Sequence, residues 1–148
     1  MTPDVPTVLA GLSHTFLFEL APELRSPHAQ QSARLGAILL LMVAQEFDRA
    51  AERLTEENRA VEELLREGRR LPLEPSLCEE IEATLRGFAS SLRVSDLRRR
   101  NRELRGVLLR LHEAVELLEG SEAREVEEKI WEELRRSVER RRLDLEAA

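Results

Sequence analysis

Tyrosine is absent from this 148-residue chain, and aromatics of any kind make up 3% of it. That scarcity argues against a β-sandwich or barrel, whose packing leans on aromatic and β-branched side chains. A single cysteine, Cys78, forms no internal disulfide and supplies no thiolate-rich zinc site. It lies beside Glu79 and Glu80, which oppose thiolate formation, so a nucleophilic role is not expected. Six glycines and six prolines leave no room for a low-complexity or collagen-like segment. The longest uninterrupted apolar run, 37–44, falls far short of the ~20 residues that span a bilayer. Met1-Thr2-Pro3-Asp4 carries no basic stretch of the kind that opens a signal peptide, so a cytoplasmic protein with no membrane association is expected.

Charge of one sign is also missing: the net value is −6. No overall positive field invites DNA or RNA, and few aromatics interleave with the arginines to stack bases. Nucleic acid is therefore a disfavoured partner. Lysine occurs once, at 129, against 22 arginines, while asparagine and glutamine together number five. Such usage fits a GC-rich genome and is compatible with a thermophilic source, whose proteins favour ion-pair networks.

What remains is a helical vocabulary. Leucine, glutamate and arginine together form half the chain. The spacing predicts an all-α antiparallel bundle of four to five helices in one domain, 1–148, with one very long helix. Residues 1–6, with two prolines, are expected to be loose. An apolar stripe (Val8, Leu9, Leu12, Phe16, Leu17, Leu20) predicts a short helix over 7–21, stopped by Pro22. Ser26-Pro27 restarts the chain into a helix over 27–67, ~60 Å long at ~1.5 Å per residue. Ser76 and Glu79 have capping-box spacing, predicting a helix over 76–92. Ser95 is the candidate cap for a helix over 96–119. Gly120 is expected to end it, and Ser121 to cap the last helix, 122–146.

Two long helices carry seams with alternating 4-3 spacing. Positions 40, 44, 47, 51, 54, 58, 61 and 65 read Leu, Ala, Phe, Ala, Leu, Asn, Val, Leu. Positions 97, 101, 104, 108, 111, 115 and 118 read Leu, Asn, Leu, Leu, Leu, Val, Leu. Asn58 and Asn101 fall on seam positions, where a polar residue costs stability but sets register, so they are candidates for a register-setting polar core and for mutual proximity. They also share a short echo, Leu54-x3-Asn58-Arg59 against Leu97-x3-Asn101-Arg102.

The segment 35–44 is apolar on every face, so a helix there needs neighbours all round. Leu35, Leu39, Leu40, Val43 and Phe47 are the candidate oligomer interface, with Leu40 expected at its dry centre and a dimer favoured. Another protein partner is compatible with the same surface. A hairpin joined at Gly120-Ser121 should set residue 100 beside 141, gathering Arg98, Arg99, Arg100, Arg140, Arg141 and Arg142 into a basic cluster. Carboxylates of the preceding helices (Glu56, Glu57, Glu62, Glu63) or the acidic tip of a second subunit are the expected counter-charges, ahead of an external polyanion.

Chemistry-bearing patterns are few. No Gly-x-Gly-x-x-Gly, P-loop, Gly-x-Ser-x-Gly or His-Glu-x-x-His occurs, so no catalytic residue is nominated and an enzyme is not expected. The residues three before the histidines are Gly11, Arg25 and Leu109, so the Glu-x-x-His di-iron pattern is absent. His112 and Glu116 stand four apart on a helix, a common surface pairing; no metal or cofactor is expected. Glu46, beside Phe47 after the apolar run, with His14, makes a candidate buried polar site. The leading expectation is a non-enzymatic, homo-oligomeric assembly or interaction protein. The alternative is a helical bundle binding a small ligand or metal near Glu46 and His14; a lesser one is phosphate or nucleic-acid binding through the arginines.

Overall fold

The computed structural model describes residues 4–143, and all of its regular structure is helical. Helix α1 spans Val5–His14 and continues through a π-helical segment, Thr15–Leu20, into a last turn, Ala21–Glu23. The others are α2, Pro27–Gly68; α3, Pro75–Arg86; α4, Val94–Glu116; and α5, Ser121–Arg140. The all-α class and the very long second helix agree with the spacing of the sequence.

Several boundaries differ, each for a local reason. The first helix starts at Val5 because the Asp4 carboxylate accepts from the Thr7 N–H at 3.1 Å and Pro6 fits the first turn. Pro22 does not stop it. The π segment, in which the Ala21 N–H reaches the Phe16 carbonyl, moves the backbone carbonyls off the spacing that a proline ring would strike. Helix α3 begins at Pro75 after Glu74, with Ser76 inside it and no side-chain cap. It ends at Arg86, six residues short of 92, where Gly87 turns extended. Helix α4 follows Arg93, and Ser95 lies within its first turn; it ends at Glu116. Gly120 therefore does not close α4 but sits at the N-cap position of α5, at φ +124, a conformation that favours glycine. Helix α5 ends at Arg140; the expected extension over 144–146 lies outside the described residues.

The chain separates into two compact units, 4–50 with 142–143, and Ala51–Arg141. In the first, α1 runs antiparallel to the start of α2: the buried Ser13 Oγ donates to the Ala37 carbonyl at 3.0 Å. Its buried residues are Ser13, Ala21, Ala37, Ala44 and Ala50, all small. The backbones approach closely, and a Cβ on Gly36 would stand 3.6 Å from the Phe16 ring.

The second unit is an up-down-up-down bundle of the end of α2 with α3, α4 and α5. Contacts fix its directions. Gly68 lies against Leu111 and Asn58 bonds Asn101, a constant offset of 43, so α2 and α4 run parallel. Arg100 reaches the Thr84 carbonyl and Arg110 pairs with Glu80, so α3 is antiparallel to α4. Arg105 bonds Ser137, and with the short 117–120 connection this sets α5 antiparallel to α4. An apolar core fills one end, built on Val61, Leu65, Ile81, Leu104, Leu111 and Ile130. On α2, every seam position from Leu54 to Leu65 named above is buried.

At Gly68 the parallel helices nearly touch, because a Cβ there would overlap the methyl groups of Leu111. Gly68→Ala is expected to cost about 1–3 kcal/mol through overpacking, against a helix-propensity gain of under about 1 kcal/mol. Urea denaturation checks it; an unchanged midpoint would show that Leu111 moves aside freely.

Candidate functional site

The end of the bundle opposite the apolar core is filled by polar side chains. Glu57 is fully buried, with Asn58, Asn101, Arg100, Glu133 and Ser137 each under 10% exposed. They reach the inside because the buried stripe of α2 is two residues wide: Glu57-Asn58 precede Leu64-Leu65 by one heptad on the same face. Glu57 Oε2 accepts from Arg141 Nη2 at 2.8 Å, Arg105 Nη2 at 3.3 Å and Asn101 Nδ2 at 3.3 Å. Asn101 Nδ2 also donates to Asn58 Oδ1 at 2.9 Å, and Asn58 Nδ2 to the Leu97 carbonyl at 3.2 Å. One carboxylate and two carboxamides thus join α2, α4 and the residue after α5.

Two further carboxylates extend the network. Glu62 accepts from Arg100 Nη2 at 2.9 Å, while Arg100 Nη1 donates to the Thr84 carbonyl at 2.8 Å. Glu133 receives Arg140 through both terminal nitrogens, at 2.6 and 3.1 Å, and Glu56 approaches the same guanidinium at 3.5 Å. The Glu133 hydrogen bond, first among the causes, raises the Arg140 pKa above its ordinary value. At the start of α4, the Ser91 hydroxyl bonds Asp96 at 2.6 Å and holds its carboxyl below the usual range, aided by Ser90 and Arg99 and opposed by partial desolvation. A depressed carboxyl contributes stability that is present above its unfolded value and lost as pH falls through the folded one. Lys129 is shifted the other way, upward, by Glu67 and then Glu125, so its contribution is lost only at strongly alkaline pH.

Satisfaction is incomplete. Glu57 Oε1, Arg100 Nε and Arg105 Nε are buried without a hydrogen-bond partner. The cost of the cluster is the desolvation of its charges, which the mutual hydrogen bonds offset in part.

The nominated arginines therefore do not form one free patch. Arg100 is buried, Arg140 and Arg141 pair with the carboxylates above, Arg99 pairs with Asp96, and Arg98 is exposed. Arg142 belongs to the other unit and is also engaged in an interaction. Three of the four carboxylates nominated as counter-charges, Glu56, Glu57 and Glu62, take this role. Glu133 and Ser137 were missing, and Glu57 was expected as a counter-charge to the arginines without being placed at the buried centre. The signal that could have found Glu57 is its place seven residues before Leu64.

In the first unit, Leu35, Leu39, Val43 and Phe47 are 50–56% exposed and repeat every four residues along α2. Leu40, expected at the centre of this surface, is half-buried instead, and Phe47 leaves the seam. The reason is that α1 packs on the alanine face, residues 37 and 44, which turns the leucine face outward. The Glu46–His14 site is not assembled. His14 is exposed, and its ring lies 4.6 Å from that of Phe18, tilted by 45°. Half-buried Glu46 is itself engaged in an interaction and lies nine residues along α2 from Ala37. His14 sits about two turns away, level with Ala37. The sequence matches no family model, and no curated protein and no solved structure matches it.

Glu57→Ala is expected to cost about 1–3 kcal/mol, because it removes the shared acceptor of two partly exposed guanidinium groups and an amide. Arg98→Ser should stay within about 0.5 kcal/mol. A double-mutant cycle of Asn58→Ala and Asn101→Ala should give a coupling of about 0.5–3 kcal/mol in urea unfolding. Additive single effects would show that the carboxamide pair contributes nothing of its own.

Proposed function

We propose that this chain is a non-enzymatic assembly protein that pairs with a second copy of itself through residues 5–50. The observation that supports this is the make-up of the first unit. Its buried positions are only alanine and serine, while eleven of the seventeen large apolar residues exposed among the described residues lie between Val5 and Phe47. A helical hairpin gains little from burying methyl groups, at about 25 cal/mol per Å² of apolar area, and isolated helices of this length are marginal in water. An exposed apolar surface of this extent marks an association site.

A second copy suits the surface better than a foreign partner. No charged residue occurs between Arg34 and Glu46, so the leucine face carries no charge pattern with which to select another protein. Obligate homodimer interfaces resemble a domain core cut in half, and two hairpins meeting face to face around a twofold axis would complete such a core. No helix of the described residues is long and apolar enough to cross a membrane. One cysteine and an acidic balance suit the cytoplasm. Internal pairing of the arginines favours this reading over phosphate or nucleic-acid binding.

Sedimentation equilibrium at micromolar concentration should return at least twice the 17.0 kDa chain mass. Leu39→Glu combined with Val43→Glu should return one chain mass, with the cooperative unfolding of Ala51–Arg141 retained. A wild type that sediments as a single chain, or a variant that keeps the oligomer, would overturn the proposal.

A further inference from the structure

We infer that His112, Glu116 and Glu127 form a binding site for a first-row divalent cation of the Zn²⁺ type, clipping the turn between α4 and α5. His112 and Glu116 stand one turn apart at the end of α4, and Glu127 faces them from the second turn of α5 across the 117–120 connection. One ligand atom from each lies within 4.8 Å of the other two. His112 Nε2 and Glu116 Oε1 are 3.6 Å apart, too far for a good hydrogen bond. It is close to the roughly 3.4 Å that two ligands keep around a tetrahedral ion with bonds of about 2.0–2.1 Å.

Three independent features favour a cation there. His112 Nε2 is buried and makes no hydrogen bond, although an unpaired buried polar atom costs about 1–3 kcal/mol. Glu127 is half-buried and makes no ion pair with an arginine or lysine among the described residues, and exposed Glu116 stands beside His112 without one. The imidazole is also held in place: its ring meets the indole of Trp131 edge-on at 5.2 Å and 83°. Trp131 follows Glu127 by one turn, so the same helix supplies a ligand and the buttress of another. Orientation of a ligating ring by its surroundings is what raises affinity at such sites.

The donor set selects the ion. One imidazole and two carboxylates, without thiolate, suit Zn²⁺, Co²⁺, Mn²⁺ or Fe²⁺ rather than Cu⁺, and the nitrogen ligand disfavours Mg²⁺ and Ca²⁺. Three protein ligands leave the remaining positions to water. Two bonds from α4 and one from α5 tie the helices across their turn, so occupancy stabilises the folded hairpin by mass action. The histidine-glutamate pair alone is a common surface feature; Glu127, brought in by the fold, makes the third ligand.

Trp131 is the chain's single tryptophan and reports directly on the site. The full chain, stripped with chelator, is titrated with Co²⁺ while indole fluorescence is followed, and Zn²⁺ is then added in competition. Saturable quenching at one ion per chain, reversed by micromolar Zn²⁺ but not by millimolar Mg²⁺, is the expected result. Zn²⁺ should also raise the melting temperature. His112→Gln and Glu127→Gln should each weaken binding about tenfold or more, while Glu128→Gln leaves it unchanged. Glu127→Gln keeps the size and shape of the side chain, and retention of the fold is checked by circular dichroism. Quenching that does not saturate, or that Glu128→Gln weakens as much as Glu127→Gln, would reduce the site to diffuse attraction by acidic residues and overturn the inference. Binding that survives His112→Gln would do the same.

Discussion

Burying the Glu57 carboxylate is the constraint around which the second unit is arranged. A carboxylate with no exposure cannot remain unpaired, and its oxygen draws donors from α4 and from the residue after α5. Those donors must come from particular positions. A slip of α4 by one heptad would carry Asn101 and Arg105 about 10 Å along the helix and leave Glu57 against hydrocarbon. The apolar end of the bundle, dense in leucine and valine, tolerates many arrangements of similar volume. The polar end does not, and so it decides which arrangement is adopted.

The two units answer the same problem in opposite ways. The second buries large side chains and locks them with charge. The first brings backbones together over alanine and turns its large side chains outward. A methyl-only contact allows close approach but removes little apolar area from water. Stability is therefore distributed unevenly along the chain, although α2 passes through both units without a break.

The helical class, the length of α2 and the seam from Leu54 to Leu65 were legible in the sequence, because hydrophobic periodicity over many turns is a strong signal. The echo at Asn58 and Asn101 was visible too, and its 43-residue offset equals the offset at which α2 and α4 lie side by side. Helix ends were less legible. Ser76, Ser95 and Ser121 all sit inside their helices, since proline geometry and packing set the starts. The site was harder still. A glutamate next to a seam asparagine looks like any surface glutamate until α4 and the residue after α5 supply its donors. Phe47 read as core because periodicity names a stripe without saying which neighbour will cover it. Glu127 likewise joins His112 and Glu116 only once the turn at Gly120 is closed.

Capping adds a last contrast. The Asp4 side chain closes the first turn of α1, whereas α3 and α5 start without a side-chain acceptor for their leading amides. Helices begun that way owe their first turns to the layers beneath them. In hydrogen-exchange terms, their leading amides trade with solvent by fraying, while those beside Val61, Leu104 and Ile130 exchange only when the whole bundle opens. Unfolding of the second unit thus starts at its rims, next to the turns, and reaches the apolar core last.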